Sequence, residues 1–281
     1  MNAKRLRALP NRIRLYGLLA VYVLVVSFPF YYMVLTSLRA QKDVYNKDAM
    51  LMPVNLILDN YGIVLGSTNM TTWLTNSVVV GVVSSAIAVV IGTLAAYSLA
   101  RLRFLGSATL ARSVLFMYLV PSSLLFIPLF LIINNIGLRN TLWALILTYL
   151  TFNVPFCTWM LLGYFRTIPI ELEDAARIDG CSRMGVLGRI ILPLSAPVLA
   201  VVAVFTFLWT WNDFFAPLLY IDSQEQFTVA LALATFVRSQ GGVQWNEMMA
   251  ANLFSILPVL IVYFLAQNKL IGGIASVGLK G

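Results

Sequence analysis

The stretch ELEDAARIDGCSRMGVLGRIILP, Glu171 to Pro193, is a polar island between two long apolar runs. It sets Glu171, Glu173, Asp174 and Asp179 beside Arg177, Arg183 and Arg189, with Arg166 just upstream. Pro169 suits a helix start, and Glu171, Glu173 and Asp174 then fall in the first turns, where negative charge complements the helix dipole. Leu172, Ala175, Ala176 and Asp179 follow at helical spacing. Gly180 can take a left-handed conformation and stop that helix, and Ser182 can cap a second one running to Ile191 before Pro193. The pattern predicts two short helices bent at a glycine. Two uses stay open on these residues alone: a small-residue plug for a groove on another surface, or an amphipathic loop lying on lipid headgroups.

Around the island, the 281-residue chain is 60% hydrophobic and 11% charged, with a mean hydropathy of +0.87. A water-soluble protein of this length needs more polar surface than that. Runs of about 20 apolar residues cross a ~30 Å hydrocarbon layer as helices. Six are predicted: Leu15 to Ser37, Trp73 to Ala100, Ser113 to Ile136, Thr141 to Tyr164, Leu194 to Tyr220 and Met249 to Leu270. Both termini then share one side of the membrane.

Basic residues beside membrane spans stay in the cytoplasm. With the N-terminus inside, inner segments carry Lys4, Arg5, Arg7, Arg12, Arg14, Arg101, Arg103, Arg112, Arg166, Arg177, Arg183, Arg189, Lys269 and Lys280. Outer segments carry only Arg39, Lys42, Lys47, Arg139 and Arg238, so both termini are expected in the cytoplasm. The net charge of +8 is thereby assigned to topology and not to nucleic acid, since the bases sit in short loops beside apolar spans. The basic head MNAKRLRALPNRIR resembles the start of a signal peptide, but the apolar run after it is too long and lacks a small-x-small cleavage site. It reads as a retained first span.

The expected organisation is a basic cytoplasmic N-terminus, 1–14, and one transmembrane domain, 15–281, with the cytoplasmic loop at 165–193. The larger outer segments, Leu38 to Thr72 and Ile221 to Met248, carry turn formers, aromatics and mixed charge. They predict short helices and loops that an external partner can touch. Pro29, Pro121, Pro128, Pro155 and Pro258 each remove one backbone hydrogen bond and are expected to bend their helices. Cys157 and Cys181 lie at different depths and read as isolated thiols. The chain has no histidine, which removes His-dependent triads and most zinc sites. No catalytic constellation or metal site is expected.

An acid in FLWTWNDFFAPL is costly inside a membrane, so Asp213 either faces a cavity, a partner or the bundle interior, or sits at headgroup level between interfacial tryptophans. On the preceding span, Tyr149, Thr151, Asn153 and Phe156 surround Pro155. Hydroxyl-matching polar groups and aromatic faces are together the ingredients of sugar recognition.

The stretch DAARIDGCSRMGVLGRIILP resembles the signature of ABC importer permeases: Glu-Ala-Ala, three residues, Gly, nine residues, Ile, any residue, Leu-Pro. Asp174, Ala175, Ala176, Gly180, Ile190, Leu192 and Pro193 carry it with the spacing intact. Asp174 replaces the usual Glu, with Glu173 directly before it, so either acid can face a partner. IPIELEDAARIDG, WNDFFAPL, NSVVVGVVSSAIAVVIGTLAAYSLARLRFLG and the Lys280-Gly281 ending resemble the shorter permease subunit of the maltose-type, carbohydrate-uptake branch. The resemblance implies an all-α type I importer permease with six spans. It makes the polar loop a coupling helix that docks in a cleft on a cytoplasmic ATPase through Glu171, Glu173, Asp174, Ala175, Ala176, Arg177, Asp179 and Gly180. It implies a path lined by Asn153, Trp209, Asn212 and Asp213, with Tyr149, Phe156 and Trp211 beside them.

The partners implied are a second homologous permease, two ATP-binding subunits, an extracytoplasmic solute-binding protein, membrane lipid and a carbohydrate, either an oligosaccharide or a sugar-like solute, in a bacterial or archaeal inner membrane. No Gly-x4-Gly-Lys-Ser/Thr loop occurs, so ATP and Mg are expected on the partner ATPase and no cofactor in this chain. Two other readings remain: an importer of the same architecture for amino acids, phosphate or polyamines, and an ion-driven secondary transporter or channel. The latter needs a proton relay of which Asp213 is the main element present.

Overall fold

The computed structural model describes residues 3–45, 51–53, 55–102, 104–236 and 243–278. Lys47, Arg103, Arg238 and Lys280, used above for topology, lie outside them. Among the described residues every regular element is helical. In order these are α1 (Ala3–Ser37), α2 (Gln41–Val44), α3 (Asp59–Ser67), α4 (Met70–Arg101), α5 (Ser107–Leu119), α6 (Ser122–Asn135), α7 (Leu142–Phe165) and α8 (Glu171–Ile178). There follow α9 (Arg183–Val186), a π-helical turn (Leu187–Ile191), α10 (Leu192–Leu194), α11 (Ala196–Asn212), α12 (Phe215–Tyr220), a 3-10 turn (Gln224–Gln226), α13 (Val229–Phe236) and α14 (Trp245–Gly278).

Four helical stretches are long and apolar enough to cross a membrane unaided: Arg14–Ser37, Met70–Arg101, Leu142–Phe165 and Trp245–Gln267. Two bent pairs complete six crossings when each pair is counted as one: Ser107–Leu119 with Ser122–Asn135, bent by 96°, and Arg183–Leu194 with Ala196–Asn212, bent by 80°.

Two predicted spans are therefore not continuous. Ser113 to Ile136 breaks at Val120 and Pro121, where Val120 has ψ 124°. The ring of a proline forces its predecessor into extended backbone, which ends a helix there. Leu194 to Tyr220 ends instead at Asn212, because Asp213 is extended, with ψ 125°, and α12 starts anew after it. Helices α1, α6, α7 and α14 run unbroken through Pro29, Pro128, Pro155 and Pro258.

The chain packs as two compact units. The first comprises residues 1–70 and 233–255. It contains a buried knot of hydrogen bonds: the Asn60 side-chain amide donates to the carbonyls of Ser37 (2.7 Å) and Arg39 (2.8 Å), and its oxygen accepts from Asn246 (2.8 Å). Ser37 and Tyr61 share a hydroxyl bond of 2.7 Å, Arg39 donates to the Met52 carbonyl, and Gln41 donates to the Val243 carbonyl at 2.8 Å.

The second unit comprises residues 71–232 and 256–281. Its core at one end gathers Ala96 and Tyr97 of α4, Leu161 and Phe165 of α7, and Ala176, Val186, Leu187 and Ile191 of the polar loop. The loop is thus packed into the bundle along one side. Small residues set the spacing of α4 and α7: a Cβ on Gly92 would fall 2.5 Å from the Cys157 Cβ and 3.1 Å from the Thr158 backbone nitrogen. Close backbone approach of this kind is how helices associate where lipid removes the hydrophobic drive between them. Cys157 and Cys181 are both free thiols, as their separate positions predict.

Candidate functional site

The polar loop forms as its residues dictate. Glu171, Glu173 and Asp174 occupy the first turn of α8. The helix closes in a Schellman arrangement, with Gly180 at φ +87°. The Cys181 amide donates to the Ala176 carbonyl (2.9 Å) and the Gly180 amide to that of Arg177 (3.1 Å). Ser182 then accepts from the Gly185 amide at 3.2 Å and opens the second helix. That helix continues through its π turn to Leu194, past the expected end at Ile191.

The predicted docking residues do not share one face. Glu173 is buried and forms an ion pair with Arg101, at the end of α4. The same guanidinium donates to the carbonyls of Phe165 and Ile168, each at 2.8 Å. Glu173 therefore anchors the loop inward and has no surface to offer a partner. Ala176 is buried as well, in the core. Glu171, Asp174, Ala175, Arg177, Asp179 and Gly180 stay outward. Beside them Ile170, Leu172 and Met184 are exposed, and Ile178 is 87% exposed. An apolar residue held that open on a charged helix suits a protein groove.

Within the second unit lies a cavity of about 820 Å³. Its walls are Met117 to Ser122, at the α5–α6 bend, Phe152, Asn153, Phe156 and Met160 of α7, and Phe205, Thr206 and Trp209 of α11. Asn153, 3% exposed, donates to the Thr210 hydroxyl (3.3 Å), which lies 3.4 Å from that of Ser84. A smaller recess of about 430 Å³ is lined by Phe205, Leu208, Trp209, Asn212 and Asp213. None of the described residues lining the larger cavity carries a charge. The sequence reading missed Met117 to Ser122 and Thr206, and also Phe152, Met160 and Phe205, which stand at i, i+4 spacing with Phe156 and Trp209, a helical-face signal that was available.

Of the predicted path residues, Asn153, Phe156 and Trp209 line the larger cavity, and Asn212 and Asp213 reach only the recess. Tyr149 and Trp211 do neither. Tyr149 is buried and donates to Asp213 at 2.9 Å, and Trp211 stacks on Phe207 at 5.4 Å. Asp213 also accepts the first two amides of α12, from Phe215 (3.2 Å) and Ala216 (3.0 Å). With its oxygens so occupied, the carboxylate holds the end of α11, the start of α12 and Tyr149 together. Asp213→Ala is expected to cost about 2 kcal/mol, from a lost cap and an orphaned hydroxyl. Thermal unfolding in detergent checks this, and Asp213→Asn should recover only part of the loss, since its single acceptor oxygen faces three converging donors.

Residues 88–274 match the family model described as binding-protein-dependent transport system inner membrane component. The chain is 36% identical over 273 residues to the inner membrane ABC transporter permease protein YcjP of Escherichia coli strain K12, covering 96% of this chain and 97% of that one. It is 34% identical over 236 residues to the trehalose transport system permease protein SugB of Mycobacterium tuberculosis, covering 84% of this chain and 86% of the relative. The trehalose/maltose transport system permease protein MalG of Thermococcus litoralis is 33% identical over 260 residues, 92% of this chain and 93% of the relative. Among solved structures, the fold matches a bacterial ABC transporter involved in the import of the acidic polysaccharide alginate. The TM-score is 0.75 at 24% identity, over 96% of this chain and 98% of that one.

Proposed function

Because the chain belongs to the family of binding-protein-dependent transport system inner membrane components, we propose that it is the permease subunit of an ATP-driven importer that carries a neutral carbohydrate. It is a multi-pass cell-membrane protein with the all-α fold of ABC importer permeases. The observation that carries the cargo class is the larger cavity: aromatic rings from α7 and α11, one buried amide and hydroxyls, with no ionised side chain among its described lining. Rings stack on the C–H faces of a sugar while the amide and hydroxyls match its hydroxyl groups. An amino acid, phosphate or polyamine would lie in those walls with its charge unpaired, at a large desolvation cost. The relatives named for trehalose and maltose transport support the same reading.

In this proposal the loop at 165–193 faces the cytoplasm of a bacterial or archaeal cell. The exposed side of α8, with Glu171, Asp174, Arg177, Ile178 and Asp179, docks on an ATPase subunit that holds ATP and Mg. A second permease completes the path, two ATPase subunits drive it, and a solute-binding protein delivers cargo from outside. ATP binding and hydrolysis below move the loop, and the loop moves the helices around the cavity.

The test is uptake by the assembled transporter, copurified with its partner subunits and reconstituted with its binding protein. Labelled disaccharide should accumulate with ATP and be displaced by unlabelled sugar but not by amino acids. Trp209→Ala should reduce uptake about fivefold, the worth of one aromatic face, without loss of assembled complex. Uptake of a charged solute in place of sugar would overturn the cargo assignment.

A further inference from the structure

Arg101 joins three separate pieces of the chain at one buried guanidinium. Its Nε pairs with Glu173 in the first turn of α8. Its Nη2 donates to the Phe165 carbonyl, at the C-terminus of α7, and to the Ile168 carbonyl in the turn that leads into the loop, both at 2.8 Å. The two charged side chains are only 11% and 7% exposed. One helical turn earlier on the same face of α4, the Tyr97 hydroxyl reaches the Arg183 carbonyl at 3.4 Å. The end of α4 therefore touches the loop on both sides of Gly180.

The last carbonyls of a helix have no partner within it; that of Phe165 accepts the Ile168 amide at 3.2 Å, and the guanidinium fills its second acceptor site. A guanidinium is a rigid planar fork that serves a carboxylate and carbonyls together, whereas lysine offers a single flexible point charge. Small displacements pass between packed elements only where the joint between them does not give, and a largely buried ion pair whose guanidinium also holds two carbonyls is such a joint.

We propose that Arg101 is a positioning residue for transport, locking α8 to the ends of α4 and α7 so that movement of the loop reaches both spans as one body. The proposal rests on the reading of the loop as the ATPase-facing joint. Arg101 contacts neither cargo nor nucleotide in this assignment. Its effect is on the ratio of transport to hydrolysis.

The experiment uses the whole transporter reconstituted in vesicles with its binding protein, comparing wild type with Arg101→Lys, Glu173→Gln and Arg139→Gln. Arg139 forms an exposed ion pair with Asp222 (3.0 Å) and serves as the control. Sugar transported per ATP hydrolysed is measured per assembled complex, with assembly read from the copurifying ATPase. Arg101→Lys and Glu173→Gln are expected to keep hydrolysis while transport per ATP falls about tenfold, within the range of coupling changes that such contacts produce. The control should match wild type. If transport and hydrolysis fall together in proportion to lost complex, Arg101 is merely structural and the proposal is overturned. A wild-type ratio in both variants overturns it equally. If wild type copurifies no ATPase, the proposed function fails and the joint with it, an outcome separable from the others because it does not depend on the variants.

Discussion

Gly92→Leu is expected to leave little properly packed protein in the membrane. The Cβ alone would sit 2.5 Å from the Cys157 Cβ and 3.1 Å from the Thr158 backbone nitrogen. Rotation of a side chain relieves neither contact, so α4 and α7 must part. Overpacking a tight interface costs about 3 kcal/mol at the upper end of the usual range, and the backbone component here puts Leu at or beyond it. For a chain of this size that corresponds to a fall of roughly 6–12 °C in unfolding temperature. Thermal unfolding in detergent, with the yield of folded monomer on size exclusion, checks it. Gly62→Leu is the comparison, since open space surrounds Gly62. Equal loss at both positions would show that added bulk, and not the α4–α7 contact, is responsible.

The second large effect is expected in transport and not in stability. Gly180 holds φ +87° with nothing within 4 Å of where a Cβ would stand. Gly180→Val thus meets no steric neighbour, but a β-branched residue in the left-handed region is strained by about 1–2 kcal/mol. The Schellman turn is the element that yields, because Gly180 and its neighbour Asp179 are exposed while Ala176 and Val186 on either side are packed in the core. The angle between α8 and α9 changes, and with it the surface that the proposed function turns toward the ATPase. Transport per ATP should fall about tenfold, while the unfolding temperature falls by only roughly 2–8 °C. Gly180→Asn should retain most of the coupling, since Asn tolerates the left-handed region. Uptake and hydrolysis measured side by side in vesicles decide it, and equal coupling in the Val variant would dismiss the turn as a determinant.

Much of this was written in the sequence, for reasons that can be assigned. Apolar length gave the crossings because lipid demands it, and Gly180 and Ser182 gave the loop its turn because each has a narrow conformational use. The break before Pro121 was legible in principle, since a proline restricts its predecessor, but hydropathy averages over it. The end of α11 was missed for a similar reason. An apolar run through Phe214 and Phe215 conceals that Asp213 takes the amides of Phe215 and Ala216. Which acid of the Glu173-Asp174 pair turns inward could not be read locally at all, because the deciding partner, Arg101, lies 72 residues away. The knot around Asn60 was illegible on the same grounds, being assembled from segments as far apart as 202 residues.

That knot has a bearing on where the protein can work. Around Asn60 its members are two side-chain amides and two backbone carbonyls, none of which carries a charge. Dissolved ions weaken attractions between opposite charges, and acid cancels carboxylates, but neither acts on bonds of this kind. On the face that the proposal turns toward the environment, the amide core of that fastening is thus indifferent to brine and to acidity alike.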